Sequence, residues 1–265
     1  MSKVKPIIKY FGGKSKKFEL LHSLFPERYE AYFEPFFGGG SVGLNVPTNK
    51  ARHFNDINPH LMNMYRQIRN EPNEVLRLTD ILFDNCTEDY FYLMKRTKFD
   101  DKVLEAARYL FLYSLSYGGI TSTKFTYGYP TKPHCLDHLN HWSEAKKNTL
   151  REVSVVLKQA HLHCGSYEAL KPQQGDFIYA DPPYVTVPAK YLVSWSEADH
   201  FKLFDWCEEQ TRKGVLLLLS YEDNQLIHNL YRKYNIETRS YNKRNAHNKK
   251  GTHYKPYTEL TIRNY

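Results

Sequence analysis

Two short, largely apolar runs that end abruptly in loop-forming residues constrain the fold of this chain most. The first, residues 32–37, stops at three glycines, and the second, residues 176–180, runs into an acid and two prolines at residues 181–183. Short apolar runs bounded by glycine or proline are typical of strands buried within a sheet. The same pattern predicts further strands at residues 51–56, 161–165 and 215–219.

A long helical stretch divides these strands into two groups. Apolar residues recur at helical spacing between residues 59 and 159, interrupted by a glycine- and threonine-rich loop at residues 118–132. Strands followed by helices on both sides of this stretch predict a mainly parallel α/β sheet. We therefore expect a sheet domain made of residues 1–56 and 161–265, with a mainly helical domain inserted at residues 57–160.

Three further signals predict shorter elements. One helix is predicted after the glycine turn at residues 12–13, and another from Ser41. A third begins after Ser196, which has Asp199 three residues on as the partner of a capping box. Residues 259–262 alternate between polar and apolar, which is typical of an edge or hairpin strand.

The overall composition excludes several classes of protein. An apolar fraction of 41% and a charged fraction of 25% are those of a folded globular protein, and the longest aliphatic run, residues 215–219, is five residues long. We therefore expect no signal peptide and no membrane span. The four cysteines form no C-x-x-C pair, which favours a cytoplasmic protein with reduced thiols. Several histidines and cysteines lie at residues 134–141 and 161–164, but their spacing matches no usual zinc site, so no metal is expected.

Positive charge is concentrated at both ends of the chain. The net charge is +8; residues 1–17 contain six lysines and no acid, and residues 225–265 contain nine Lys or Arg and two acids. Such ends favour binding to a polyanion such as nucleic acid, although a solubilising surface would have the same composition. Forty aromatic residues, of which 22 are tyrosine, also suit a protein that stacks on bases.

The glycines after the first run form a G-x-G-x-x-G pattern at residues 38–43. In nucleotide-binding proteins such glycines let the backbone approach the ligand, and an acid about twenty residues on binds the ribose. Asp56 lies eighteen residues after Gly38, at the end of a predicted strand. The pattern indicates an adenosine-containing cofactor, either a dinucleotide or S-adenosylmethionine, and leaves a purely structural turn as the alternative.

The sequence Gly-Gly-Lys-Ser at residues 12–15 resembles the end of a phosphate-binding loop. The first glycine of that loop would have to be residue 8, which is Ile8, so a nucleotide triphosphatase is not expected. Lys14 instead suits contact with a carboxylate, such as the amino-acid end of a cofactor. A solvated lysine in a lysine-rich segment is the alternative.

The sequence D-P-P-Y at residues 181–184 is the most specific chemical signal. Each proline restricts the backbone, so the Asp181 carboxylate and the Pro182 carbonyl would be held in place as two acceptors. Together they would bind both protons of an exocyclic base amine and direct its lone pair at an electrophile. Tyr184 would stack on a base that has left the double helix. A strand-to-loop turn with a surface tyrosine is the structural alternative.

Together, these motifs resemble the Dam-type DNA adenine methyltransferases. The resemblance lies in residues 9–14 (KYFGGK), 34–41 (EPFFGGGS), 56–58 (DIN) and 181–184 (DPPY), in the order of the alpha group. It implies a Rossmann-like methyltransferase sheet with an inserted target-recognition domain. It also implies methyl transfer from S-adenosylmethionine to the N6 amine of adenine in duplex DNA, often within GATC.

The resemblance also implies roles for particular residues. Tyr10, where the family usually has tryptophan, and Lys14 would contact the methionine end of the cofactor, and Asp56 would bind its ribose. The remaining cofactor contacts would come from Glu34, Phe36, Gly38, Gly40, Ser166, Tyr167 and Asp181. Asp181, Pro182 and Tyr184 would take the target base.

DNA recognition is assigned to the insertion and to the basic C-terminal region. Residues 113–126 are similar to the base-reading hairpin of the family, which implies DNA contacts from Tyr117 and Lys124. Lys124 stands where the family usually has arginine, and lysine makes a point contact where arginine makes a bidentate one. Lys243 and Arg244 are expected to contact phosphates. We expect a monomer in solution.

Three alternatives remain open at this point. A nicotinamide-dependent oxidoreductase would explain the glycine loop but leaves residues 181–184 without a role. A catalytically silent DNA-binding protein would explain the charge alone. A cytosine-N4 methyltransferase would use the same chemistry on a different exocyclic amine.

Overall fold

The computed structural model describes residues 3–8, 10, 12–47, 49–115, 141–186, 195–244 and 254–265, with the backbone alone for residues 242–244 and 254–256. The strands are β1 (Ala31–Glu34), β2 (Ala51–Asp56), β3 (Ala160–Cys164), β4 (Phe177–Ala180), β5 (Leu216–Glu222), β6 (Asn235–Arg244) and β7 (Tyr254–Arg263). The helices are α1 (Phe18–His22), α2 (Pro59–Asn70), α3 (Pro72–Asp84), α4 (Glu88–Arg96), α5 (Lys102–Leu115), α6 (Glu144–Leu157), α7 (Glu197–Arg212) and α8 (Gln225–Leu230).

The seven strands form one sheet in the order β3-β2-β1-β4-β5-β7-β6. The first five are parallel, and β7 runs antiparallel to both β5 and β6. This confirms the predicted mainly parallel α/β sheet. Residues 259–262, predicted as an edge or a hairpin strand, lie in β7. This strand forms a hairpin with β6, as predicted, but it does not lie at the edge of the sheet, because β6 does.

The central strands are buried because helices cover both faces of the sheet. Every residue of β4 is buried. Phe177 and Tyr179 belong to a core shared with the helices of the insertion, whereas Ile178 and Ala180 face a second core formed with α7 and α8. Strands buried on both faces have continuous apolar sequences, which explains why β4 shows no alternation of polarity.

Helices α2 to α6 form the insertion between β2 and β3. Their buried residues, such as Tyr65 and Leu110, belong to the same core as Phe54 of the sheet. The helices therefore pack directly on the sheet. Within the described residues, none of these helices or any other is both long and apolar enough to cross a membrane.

The helix predicted from Ser41 is wrong: only a single 3-10 turn, Gly43–Asn45, forms there. Val46 is extended, with ψ of 140°, because a residue before proline, here Pro47, is biased away from helical backbone angles. The predicted start of α7 is confirmed. The N–H of Ser196 donates to the Asp199 carboxylate at 2.8 Å, as a capping box requires.

Asn58 joins the sheet to the insertion, so its loss should destabilise the fold. Its side chain accepts from the N–H groups of His60 and Leu61 at 3.1 and 3.2 Å and donates to the Tyr109 hydroxyl at 3.1 Å. We expect Asn58→Ala to lower the free energy of unfolding by about 1–2 kcal/mol in urea denaturation. Asn58→Asp keeps the capping acceptor and should lose less. Equal losses in Asn58→Ala and in the exposed control Asn70→Ala, at the other end of α2, would contradict this role.

Candidate active site

A cavity of about 240 Å³ opens where β1, β2 and β4 end. The strand order reverses between β1 and β4, and ligands of such sheets bind at this position, beyond the carboxyl ends of the strands. The cavity brings together most of the predicted cofactor residues, namely Tyr10, Lys14, Glu34, Phe36, Gly38, Asp56, Ser166, Tyr167 and Asp181. Gly40, Pro182 and Tyr184 lie beside it and are not part of its lining.

Asp56 holds the glycine loop in place. One oxygen of its carboxylate accepts the N–H of Gly38 at 2.9 Å, and the other accepts the N–H of Asn58 at 2.9 Å. Gly38 has a φ of +48°, and a Cβ at this position would come within 2.9 Å of the Tyr10 ring. Glycine at this position therefore allows the loop backbone and the Tyr10 ring to approach closely.

Glu34 at the end of β1 is turned into the protein. The Tyr32 hydroxyl donates to its carboxyl at 2.8 Å, and a Cβ added to Gly43 would overlap the same carboxyl. Burial raises the pKa of Glu34 well above its usual range, and the neighbouring acids Asp181 and Asp56 raise it further. Glu34 therefore packs against the glycine loop at Gly43 as well as lining the cavity.

Lys14 does meet a carboxylate, and in this structure that carboxylate belongs to Asp181. The Lys14 ammonium lies 2.7 and 2.6 Å from the two oxygens of Asp181, and its side chain is only 3% exposed. The Lys14 backbone is held by its N–H, which donates to the Ser41 hydroxyl at 2.9 Å. Burial raises the pKa of Asp181, and the Lys14 ammonium opposes this rise by favouring the ionised form.

The D-P-P-Y segment leaves β4 at the edge of the cavity. Pro182 is buried, whereas Tyr184 is half-buried. The Lys14 ammonium lies 5.2 Å from the centre of the Tyr184 ring. The carboxylate and the aromatic ring of this segment therefore both contact one lysine.

An aromatic wall of the cavity includes a residue that sequence patterns did not reveal. The Phe36 ring centre lies 5.5 Å from that of Tyr167 and 5.7 Å from that of Trp195. Trp195 follows no periodic pattern, and its position next to the N-cap Ser196 was the only available signal. Glu168, Asp199 and Lys202 also line the cavity and were not predicted.

Two of the predicted DNA contacts, Tyr117 and Lys124, lie outside the described residues. The same is true of His134, Cys135 and His138, at which no metal was expected. The backbone of Lys243 and Arg244 lies in β6, but the side chains of these two residues are not described.

Three histidines cluster on the sheet away from the cavity. The His53 Nδ1 lies 3.0 Å from the His163 Nε2, and the His53 ring stacks on His161. Burial lowers the pKa of His53 to about 4, which favours a neutral ring. In the part of the chain that the structure describes, no group of three or more His, Cys, Asp or Glu side chains is arranged to hold a metal.

Comparison with known proteins identifies relatives along almost the whole chain. A family model described as "D12 class N6 adenine-specific DNA methyltransferase" matches residues 10–245. The chain is 27% identical to the type II methyltransferase M1.LlaDCHI of Lactococcus lactis subsp. cremoris, over 99% of this chain and 96% of that protein. It is 28% identical to a DNA adenine methylase of Vibrio cholerae, over 88% of this chain and 86% of that protein. It is also 29% identical to the DNA N-6-adenine-methyltransferase of Escherichia phage P1, over 81% of this chain but only 29% of that protein.

Burial of Asp56 should make the stability of the protein depend on pH. Burial raises the pKa of Asp56 from 3.8 to about 6, so between these values the folded protein keeps a proton that the unfolded chain has lost. The free energy of unfolding should therefore fall by about 3 kcal/mol from this group as pH rises through that window. We expect Asp56→Asn to remove this slope in urea denaturation series between pH 4 and 7. Parallel pH profiles for the wild type and the variant would contradict the assignment.

Proposed function

The chain belongs to the D12 class of N6 adenine-specific DNA methyltransferases, and from this premise we propose how its cavity carries out the reaction. It is an adenine-specific DNA methyltransferase by family, which argues against the oxidoreductase and the silent DNA-binding protein and favours adenine over cytosine as the target. The observation that carries the mechanism is the ion pair of Lys14 and Asp181 in the lining of the cavity. It supports an ionised acceptor at the start of the D-P-P-Y segment.

We propose that the methyl donor is S-adenosylmethionine, which supplies an electrophilic methyl group when bound. The residues present fit this molecule. The aromatic wall of Phe36, Tyr167 and Trp195 suits an adenine ring, and the Asp56 carboxylate suits ribose hydroxyls. Lys14 and Tyr10 would lie at the methionine end; both line the cavity, and the Tyr10 ring packs against the glycine loop.

The target adenine must leave the double helix before residues 181–184 can reach its amine. Tyr184 would stack on the extruded base, while the Asp181 carboxylate and the Pro182 carbonyl would each accept a hydrogen bond from the N6 amine. These two bonds direct the nitrogen lone pair at the incoming methyl carbon. As the N–C bond forms, the bond between the methyl carbon and the sulfonium sulfur of the donor would break, with a neutral thioether as the leaving group. The nitrogen would become positively charged, and the Asp181 carboxylate is the nearby group that would stabilise this charge and accept the departing proton.

Lys14 supports this chemistry by keeping Asp181 ionised. Its ammonium makes one contact with each carboxylate oxygen, and a carboxylate offers about four acceptor positions. Acceptor capacity therefore remains for the adenine amine while the ion pair is intact.

Recognition of DNA is proposed from the sequence and from the resemblance to Dam-type enzymes. That resemblance supports GATC as the recognition sequence and Tyr117 and Lys124 as residues that read it. The charge of +8 supports phosphate contacts, to which Lys243 and Arg244 would contribute. We propose that one chain is sufficient, because its own residues line the cavity, and that it acts on DNA in the cytoplasm of a bacterial or phage-infected cell.

Methyl transfer from labelled S-adenosylmethionine to mixed-sequence duplex DNA tests this function. We expect N6-methyladenine as the product by nucleoside analysis. Asp181→Asn should lower kcat by about 100-fold or more while DNA binding is retained, because the amide no longer supplies a charged acceptor. The matched control is Asp205→Asn, an exposed acid on α7, which should behave as the wild type.

Mapping the methylated positions separates the two parts of the proposal. Methylation confined to GATC supports the recognition sequence, and methylation of adenine elsewhere overturns GATC but keeps the chemistry. A product other than N6-methyladenine, or equal activity of Asp181→Asn and the wild type, would overturn the proposed mechanism.

Replacing Lys14 should change the pH dependence of the reaction. In Lys14→Met, burial acts on Asp181 without the opposing ammonium, so the pKa of Asp181 rises and the carboxylate ionises only at higher pH. The acid limb of the kcat profile, measured with saturating donor, should therefore move to higher pH. Lys14→Arg keeps the charge and should move it less. An unchanged acid limb in Lys14→Met would show that Lys14 does not control the ionisation of Asp181.

A further inference from the structure

Tyr184 of the D-P-P-Y segment makes a contact outside the cavity. Its hydroxyl donates to the carboxylate of Glu259 on β7 at 3.2 Å. Glu259 is 9% exposed, so its charge lies largely away from solvent. A buried acid that contacts the motif calls for a balancing cation.

Lys17 supplies that cation. Its ammonium lies 2.5 Å from the second oxygen of the Glu259 carboxylate and donates to the Tyr257 hydroxyl at 2.7 Å. The same ammonium lies 4.0 Å from the centre of the Tyr241 ring and 4.8 Å from that of Tyr257. These contacts hold the Lys17 ammonium in one position. The ammonium in turn holds the Glu259 carboxylate, which accepts the hydrogen bond from Tyr184.

A single short segment therefore supports both ends of the D-P-P-Y motif. Lys14 binds Asp181 directly, and Lys17 binds Glu259, which binds Tyr184. The 3-10 turn Ser15–Lys17 joins the two lysines, and the N–H of Lys17 donates to the carbonyl of Lys14 at 2.8 Å. Residues three apart in a 3-10 turn lie on the same side, so both side chains can point towards the motif.

The chain just after Tyr184 is anchored to the adjacent strand. The N–H of Thr186 donates to the carboxylate of Glu222 at 2.7 Å, and its hydroxyl contacts the same carboxylate. Glu222 on β5 is the direct cross-strand partner of Glu259 on β7. Glu259 thus accepts a hydrogen bond from Tyr184 and the neighbouring Glu222 accepts one from Thr186. Both contacts restrict where the Tyr184 ring can lie.

We propose that Glu259, held by Lys17, is a positioning residue that orients Tyr184 for stacking on the extruded adenine. This inference rests on the stacking role given to Tyr184 in the proposed function. The hydrogen bond from the Tyr184 hydroxyl to Glu259 holds the ring at its far end. A base that stacks on Tyr184 takes its position from the position of the ring. This position matters for the rate, because misplacement of a reacting group by about 1 Å can slow a reaction by about 100-fold.

Steady-state kinetics and a base-extrusion signal test the proposal together. The signal is the fluorescence of duplex DNA that carries 2-aminopurine in place of the target adenine. We expect Glu259→Ala to lower kcat by about 10-fold to 100-fold and to reduce the fluorescence rise on binding, with the KM for S-adenosylmethionine unchanged. Glu259→Gln keeps an oxygen that can accept from Tyr184 and should recover part of both. The control is Glu237→Ala on β6, which removes ion pairs with Arg239 and Arg263 away from Tyr184 and should leave kcat unchanged.

Tyr184 variants separate a positioning role from a structural one. Tyr184→Phe keeps the ring but loses the hydroxyl, so it should reproduce the loss of kcat, and adding Glu259→Ala to it should cause little further loss. Equal kcat in Glu259→Ala and Glu237→Ala, or a full additional loss in the Tyr184→Phe background, would overturn the inference. If Glu259→Ala does not fold, Glu259→Gln combined with Tyr184→Phe gives the same comparison. Tyr184→Ala with unchanged kcat and fluorescence would instead overturn the stacking role itself.

Discussion

The ion pair between Lys14 and Asp181 is the interaction on which the geometry of the site depends. The two residues are 167 positions apart in sequence, and their side chains are 3% and 18% exposed. Removing one member of a buried ion pair leaves an uncompensated charge, which is strongly unfavourable. The segment that carries Lys14 must therefore pack against the end of β4, and this contact closes one side of the cavity.

The cavity itself is rich in acids. Glu34 and Asp56 are the last residues of β1 and β2, and Asp181 follows β4; burial raises the pKa of each of these acids. Backbone N–H groups, the Tyr32 hydroxyl and the Lys14 ammonium offset part of this cost. Carboxyl groups in the lining suit a ligand with hydroxyl groups that donate hydrogen bonds, which agrees with the ribose of the donor proposed above.

The parallel strands could be predicted from the sequence because a strand buried on both faces is a continuous run of apolar residues that ends at glycine or proline. Strand β2 is confirmed at residues 51–56, and the capping box at Ser196 is confirmed. The helix expected from Ser41 failed because Pro47 ends it after one turn. Trp195 was missed because a residue in an irregular loop follows no periodicity, and its role depends on which rings it meets.

The sequence by itself determined which chemical groups the site contains: the glycine loop, the acid at the end of β2 and the D-P-P-Y segment. Their types and order were sufficient to indicate the family. Only the tertiary structure decided which of these groups meet. Lys14 was expected to contact a carboxylate of the cofactor, and it contacts Asp181; Lys17 and Glu259 carried no motif, and they support Tyr184. Pairing of distant side chains depends on strand order and on burial of charge, which local sequence does not encode.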